Sequence, residues 1–230
     1  MKKVLAIVGD FYHDIALIQQ SLTEILSPLI AEGKVQLEFC EPSWISERLN
    51  DKPDITILFA ENRVDPQNEP ELRWMTSKVS KQIEQYVEQG GAWIAWHAGM
   101  ASYDEDCEYV QMLRGSFLYH PSENAEVTYH PVLDKSIPWI ESSDLVSELD
   151  MNRGSFSFFD EHYFVKCDEA NTNVFLRSSS KDGEAPAGWI HTYGQGRVGC
   201  ITPAHRSEGL FHPSFIVCMR HLFGWTAQID

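Results

Sequence analysis

Histidines standing at the ends of apolar runs, with one carboxylate among aromatics, are the residues of this chain best suited to chemistry. The segment Gly90-Gly91-Ala92-Trp93-Ile94-Ala95-Trp96-His97-Ala98-Gly99 reads as a buried strand ending in a sharp turn that presents His97. Ala95 and Gly99, two residues before and two after, supply the small side chains that a strand-to-helix elbow needs beside its apex. Such an apex usually carries a Ser or Cys nucleophile. An imidazole there is a poor covalent nucleophile but a good acid, base or metal ligand.

Three more histidines join it. His13 follows the first apolar run, His205 follows Val198 to Ile201, and His120 stands in Tyr119-His120-Pro121. Glu161, in Phe158-Phe159-Asp160-Glu161-His162-Tyr163, is the leading carboxylate. Desolvation by those aromatics is expected to raise its pKa toward neutrality, which suits general acid or base work. The catalytic candidates are therefore His97, Glu161, His205 and His13. Tyr12, Trp96, His120 and Tyr163 are expected to shape a pocket for a ring-bearing substrate. Neutral imidazoles from separate strands also suit a divalent cation such as Zn, Mn or Fe, with His97, His120 and His205 as the ligand candidates. Neither a phosphate-binding glycine fingerprint nor HExxH is present; Gly194-Gln195-Gly196 lies between two strands rather than before a helix. Of the remaining histidines, His130 is read as a turn residue, His191 and His221 as packing residues, and His212 as a neighbour of a helix start at Pro213.

These side chains need a scaffold that brings distant segments to one edge. Lys3 to Val8 and Asp54 to Ala60 are apolar runs of strand length, and Val35 to Phe39 and Ala92 to Trp96 are read as further strands. Between them, Ile15, Ile18, Leu22, Ile25 and Leu29 recur at helical spacing, with Asp14 as cap and Pro28 expected to kink or end the helix early. Leu72, Met75, Val79, Ile83 and Val87 mark another helix, stopped by Gly90-Gly91. This alternation predicts an α/β fold with a mostly parallel sheet and helices on both faces. Ligands of such sheets bind at the carboxyl ends of the strands, where His13, His97 and His205 would meet. Further on, short strands are expected at Ala125 to Tyr129, Phe156 to Phe159, Val174 to Arg177, Pro186 to Thr192 and Arg197 to Thr202. The last two flank a hairpin turn. Asp104-Glu105-Asp106 is read as a solvated helix start. No repeat or dividing linker appears, so residues 1–230 are expected to form a single domain.

Composition narrows the function classes. A net charge of −16 repels nucleic acid phosphates and anionic membrane surfaces. Five cysteines, widely spaced, show no disulfide framework and no CxxC metal knuckle. There is no apolar run of membrane-spanning length and no signal-peptide pattern, so a reduced cytoplasmic protein is expected. Twelve Phe, eight Tyr and seven Trp provide aromatic faces of the kind that line sugar pockets. No segment marks an interface, and a homo-oligomer remains compatible with the sequence.

Six motifs in order give the chain a family resemblance. They are Tyr12-His13-Asp14, Gly90-Gly91 through His97-Ala98-Gly99, Gly115-Ser116-Phe117 with His120-Pro121, His130-Pro131, Asp160-Glu161-His162-Tyr163, and Pro186-Ala187-Gly188-Trp189 with Tyr193-Gly194-Gln195-Gly196-Arg197-Val198. On these the sequence resembles the ThuA-like (trehalose utilisation) family. The resemblance implies a three-layer, flavodoxin-like fold of the class I glutamine amidotransferase type. It also implies a carbohydrate setting, in company with dehydrogenases that make 3-keto sugars. Where amidotransferases carry the elbow Cys and a later His, this chain has His97 and His205, so glutaminase chemistry is not expected. The family's usual Leu-Gly-His-Asp stretch is here Pro203-Ala204-His205-Arg206, with a base in place of the acid. The expected function is an enzyme acting on a sugar or 3-keto-sugar by acid–base or metal-assisted chemistry. The alternative is a non-catalytic sugar-binding or sensing module on the same scaffold.

Overall fold

The computed structural model describes residues 1–134, 136–139 and 154–229. In chain order the strands of the first half are β1 (Lys2–Val8), β2 (Val35–Cys40), β3 (Ile55–Phe59), β4 (Arg63–Asp65), β5 (Glu69–Arg73), β6 (Ala92–Trp96) and β7 (Gly115–Tyr119). Those of the second half are β8 (Ala125–Pro131), β9 (Phe156–Asp160), β10 (Phe164–Cys167), β11 (Asn173–Ser180), β12 (Gly183–Tyr193) and β13 (Gly196–Ile201). The helices are α1 (Ile15–Ala31), α2 (Ile45–Arg48), α3 (Ser77–Glu88), α4 (Glu108–Leu113), α5 (Ser207–Leu210) and α6 (Pro213–Ala227).

One large sheet runs in the order β2-β1-β3-β6-β13-β12-β11-β8-β9. Its first five strands are parallel, and the rest join by antiparallel pairing. The central parallel strands β3 and β6 are buried along their whole length because both faces are covered. Alternate residues of β6 divide between two cores: Ala92, Ile94 and Trp96 pack with α1 and α6, while Trp93 and Ala95 pack with α3 and α4. Every parallel strand ends at one edge, and the loops after β1, β3, β6 and β13 converge there. A two-stranded ribbon, β7 with β10, lies apart from the main sheet.

Three local expectations are corrected. Leu72 belongs to the β4–β5 hairpin and is exposed, and α3 begins only at Ser77, where Thr76 accepts from Val79 N. The apolar spacing of residues 72–87 thus merged a hairpin with a helix. Pro28 does not end α1 early. The Glu24 carbonyl, which Pro28 cannot engage for lack of an N–H, accepts from Ser27 Oγ at 2.8 Å and Arg220 Nη2 at 3.1 Å. A local hydroxyl and a guanidinium from α6 thus satisfy the carbonyl that Pro28 leaves open. His130 lies within β8 rather than in a turn, where its ring contacts Ser155 Oγ and Ser179 Oγ. The acidic run Asp104–Asp106 precedes α4 and closes a turn, with Asp104 Oδ1 accepting from Asp106 N at 3.1 Å. Among the described residues no helix is long and apolar enough to cross a membrane.

Candidate functional site

His97 sits at the apex of a strained turn directly after β6. Its φ is +45°, a left-handed conformation uncommon for a residue with a Cβ. The turn packs against β3 so closely that a Cβ on Gly99 would overlap the Leu58 carbonyl, which is the physical reason for glycine there. The ring is fully buried. Nδ1 lies 2.7 Å from the Thr202 carbonyl, and because a carbonyl only accepts, Nδ1 carries the hydrogen. The lone pair therefore resides on Nε2. Among the described residues that atom has no hydrogen-bond partner, and it faces Glu161 Oε2 at 3.6 Å.

His205 approaches from the loop after β13. Ala204, just before it, has φ +77°, and its N–H donates to Asp160 Oδ2 at 3.0 Å. Asp160 Oδ1 meets His205 Nδ1 and accepts from Glu161 N at 2.9 Å. The opposite ring atom, His205 Nε2, lies 3.9 Å from Glu161 Oε1. The two imidazoles stack with centroids 5.0 Å apart and planes 13° from parallel. The acid missing beside His205 in sequence is thus supplied by Asp160 from the far edge of the sheet.

The ribbon closes the other side. Tyr163 stacks on His97 at 4.0 Å and lies parallel to His120 at 5.8 Å. His120, partly exposed, holds its Nδ1 2.8 Å from the Pro121 carbonyl and its Nε2 3.8 Å from Glu161 Oε2. His13 packs edge-on against both His97 and His205, at 5.5 and 5.8 Å. Its ring Nδ1 is 2.7 Å from Asp10 Oδ1, and Asp10 also accepts from Tyr12 N, His13 N and Glu61 N. Next to this corner lies a recess of about 340 Å³, whose lining includes Asp10, Phe11, Glu61, Arg63 and Trp74. Glu61 is held by Arg63 and by Ser102 Oγ at 2.7 Å.

The charges follow from these neighbours. Burial pushes the Glu161 carboxyl up, but the imidazoles around it outweigh that and hold it below the usual carboxylate range. The expected rise toward neutrality is therefore overturned: the aromatics nearby are accompanied by three imidazoles. Burial lowers the His97 pKa, with only partial opposition from Glu161, so its ring is neutral. Burial also acts against charge on His205, yet contact with Asp160 and the field of Glu161 raise its pKa. Asp10 is lowered, its own burial being outweighed by His13 and the backbone donors.

Of the residues singled out in sequence, the fold brings His13, His97, His120, Glu161, Tyr163 and His205 together. Trp96 is different. It is fully buried beneath the site, its indole N–H donating to the Pro203 carbonyl at 2.7 Å, so it supports the loop carrying His205 and faces no ligand. Tyr12 is exposed at the rim, under the Arg63 guanidinium at 5.7 Å. Asp10 and Asp160 were not selected in sequence. Period-two alternation could have found Asp160, since Phe156, Phe158 and Asp160 share the buried face of β9. His97, Glu161 and His205 each offer a ligand atom, all within 4.8 Å of one another; His120 stands outside that group, so the expected His97, His120 and His205 ligand set does not assemble as such.

The model of the family described as "ThuA: Trehalose utilisation" matches residues 54–226. No curated protein sequence matches the chain. Among solved structures, a ThuA-like protein from Bacteroides uniformis is similar with TM-score 0.69 at 16% identity, covering 98% of this chain and 91% of that one. A cytoplasmic protein from Salmonella typhimurium reaches 0.61 at 14% identity, covering 99% and 98%. A β-galactosidase from Bacillus circulans sp. alkalophilus reaches 0.62 at 11% identity, where the whole chain matches 31% of the larger enzyme. At these identities the structures show likeness of fold.

Proposed function

Because the chain belongs to the ThuA trehalose-utilisation family, we propose that it is an enzyme acting on a sugar or 3-keto-sugar through the imidazole–carboxylate centre at the sheet edge. One observation carries the reading: His97 Nε2 is a buried, unpartnered lone pair, locked in place by the Thr202 carbonyl and aimed into a cluster with Glu161 and His205. A neutral imidazole fixed in one tautomer is suited to accept a proton from a carbon acid. A 3-keto group acidifies the adjacent C–H. Its proton would pass to a basic side chain of this centre, leaving an enolate that either expels the neighbouring glycosidic oxygen or is reprotonated on another carbon. The recess beside this corner is of the size of small-molecule sites, with Phe11 and Trp74 giving it ring faces.

The same reading places the chain on a three-layer, flavodoxin-like scaffold of the class I glutamine amidotransferase type. Its five parallel strands run in the flavodoxin order. The elbow position carries an imidazole and the five cysteines lie elsewhere, which speaks against glutaminase chemistry. A cytoplasmic setting and a small carbohydrate ligand complete the proposal.

The test is incubation of purified protein with oxidised disaccharides, followed by product analysis, for wild type and folded H97A and E161Q. A drop of at least 100-fold in both variants is expected. Full turnover in either refutes the assignment. Sugar binding with no product from wild type favours the sensing module instead.

A further inference from the structure

His97 and His205 share an arrangement that neither needs for packing. Each has Nδ1 against a fixed acceptor, the Thr202 carbonyl for one and the Asp160 carboxylate for the other. Each thereby turns an Nε2 lone pair toward the same carboxylate, at 3.6 and 3.9 Å. Those separations are too long for hydrogen bonds. A lone pair facing a carboxylate is repelled unless a proton or a metal cation stands between them, and His97 Nε2 is fully buried, with no hydrogen-bond partner among the described residues.

We propose that His97 Nε2, His205 Nε2 and the Glu161 carboxylate form an open three-ligand site for a divalent transition-metal cation, Zn²⁺ in preference. Two imidazoles and one carboxylate form a donor set of a kind known at catalytic zinc sites that keep a further position for water or substrate. With bonds of about 2.0–2.2 Å, ligands at the corners of a tetrahedron lie about 3.4 Å apart; here the three ligand atoms lie within 4.8 Å of one another, so the cluster would contract on binding an ion. A ligating histidine typically donates its other ring N–H to a carboxylate or a backbone carbonyl, which fixes tautomer and ring direction. Both kinds of partner are present here, Thr202 hydrogen-bonded to His97 and the Asp160 carboxylate in ion-pair contact with His205 Nδ1. Tyr163 stacked on His97 and His13 packed edge-on to both rings hold the planes in place. His120 is left outside the ligand group, on the open side, where it faces Glu161 and any incoming substrate.

This inference rests on the carbohydrate reading only for what the metal would act upon, and the two fail separately. EDTA-stripped, dialysed full-length protein is titrated with Zn²⁺ by calorimetry, and with Co²⁺ while visible absorption is followed. One ion per chain is expected, with the absorption of a low-symmetry Co²⁺ site. E161Q and H205Q are expected to weaken Zn²⁺ at least 100-fold, with circular dichroism unchanged. H120Q is expected to change affinity less than 3-fold. D160N, which leaves all three ligands intact, should weaken binding about 10- to 100-fold as a positioning residue. No Zn²⁺ uptake by wild type, or equal affinity in E161Q and H205Q, overturns the site. Stripped protein that still turns over sugar while binding no metal sinks this inference and leaves the proposed function standing. Stoichiometric metal with no sugar chemistry does the reverse.

Discussion

Asp160→Asn isolates the group on which the site's assembly depends. Asp160 is fully buried and takes three contacts: His205 Nδ1 and Glu161 N on Oδ1, and Ala204 N on Oδ2. Asparagine keeps the shape but replaces one oxygen with an amide NH₂. In one orientation the Ala204 N–H faces a donor, and in the other the Glu161 N–H does. A buried donor left unsatisfied costs about 1–3 kcal/mol, and a charge-assisted hydrogen bond contributes about 1.5–3 kcal/mol. Together the loss is about 3–5 kcal/mol, a large part of a total stability of about 5–15 kcal/mol. With a urea m-value of about 3 kcal/mol/M for a chain of this size, the midpoint should fall by about 1–1.7 M. The assay is urea denaturation followed by tryptophan fluorescence, with EDTA present so that no metal contributes. A midpoint within about 0.2 M of wild type refutes the reasoning, because the buried carboxylate would then be organising nothing.

Two further perturbations probe the scaffold. Gly99→Ala drives a Cβ into the Leu58 carbonyl; it should cost at least about 2 kcal/mol in denaturant titration and reduce turnover in parallel by displacing His97, whereas wild-type stability would contradict the close approach of elbow and β3. His191 is buried, its Nε2 2.8 Å from the Met112 carbonyl. Burial, with Arg114 adding a little and Met112 and Asp168 opposing, lowers its pKa from 6.5 to about 4. A depressed histidine is protonated first in the unfolded chain, so its contribution is intact above the unfolded pKa and is lost as pH falls toward the folded one. Between about pH 7 and pH 5 wild type should therefore lose about 2 kcal/mol more than His191→Gln, which keeps the donor and cannot be protonated; parallel pH profiles of Tm would exclude this.

The parallel half of the fold was legible because its central strands are buried on both faces and read as apolar runs, with Val4–Val8 and Ala92–Trp96 as the clearest cases. The β4–β5 hairpin was not, since its exposed residues carry no period and Leu72 happens to fall in phase with α3. The capped first helix was read correctly at Asp14, but its passage through Pro28 depends on Arg220, nearly two hundred residues away. Trp96 illustrates the limit for the site. Adjacent to His97 in sequence, it points into the opposite core, because consecutive strand residues face opposite sides.

By itself the sequence determined which side chains could do chemistry and which edge they would reach, because burial pattern, strand direction and loop position are local or follow from chain connectivity. His13, His97 and His205 were placed together on that basis. Tertiary structure alone decided their electrical state. Whether His97 is neutral, Glu161 ionised and His205 supported by a carboxylate depends on distances of a few ångströms between residues 44 to 108 positions apart, such as Asp160 to His205 and His97 to Glu161. Electrostatic interactions in a buried site change steeply over such distances, and no pattern along the chain encodes them.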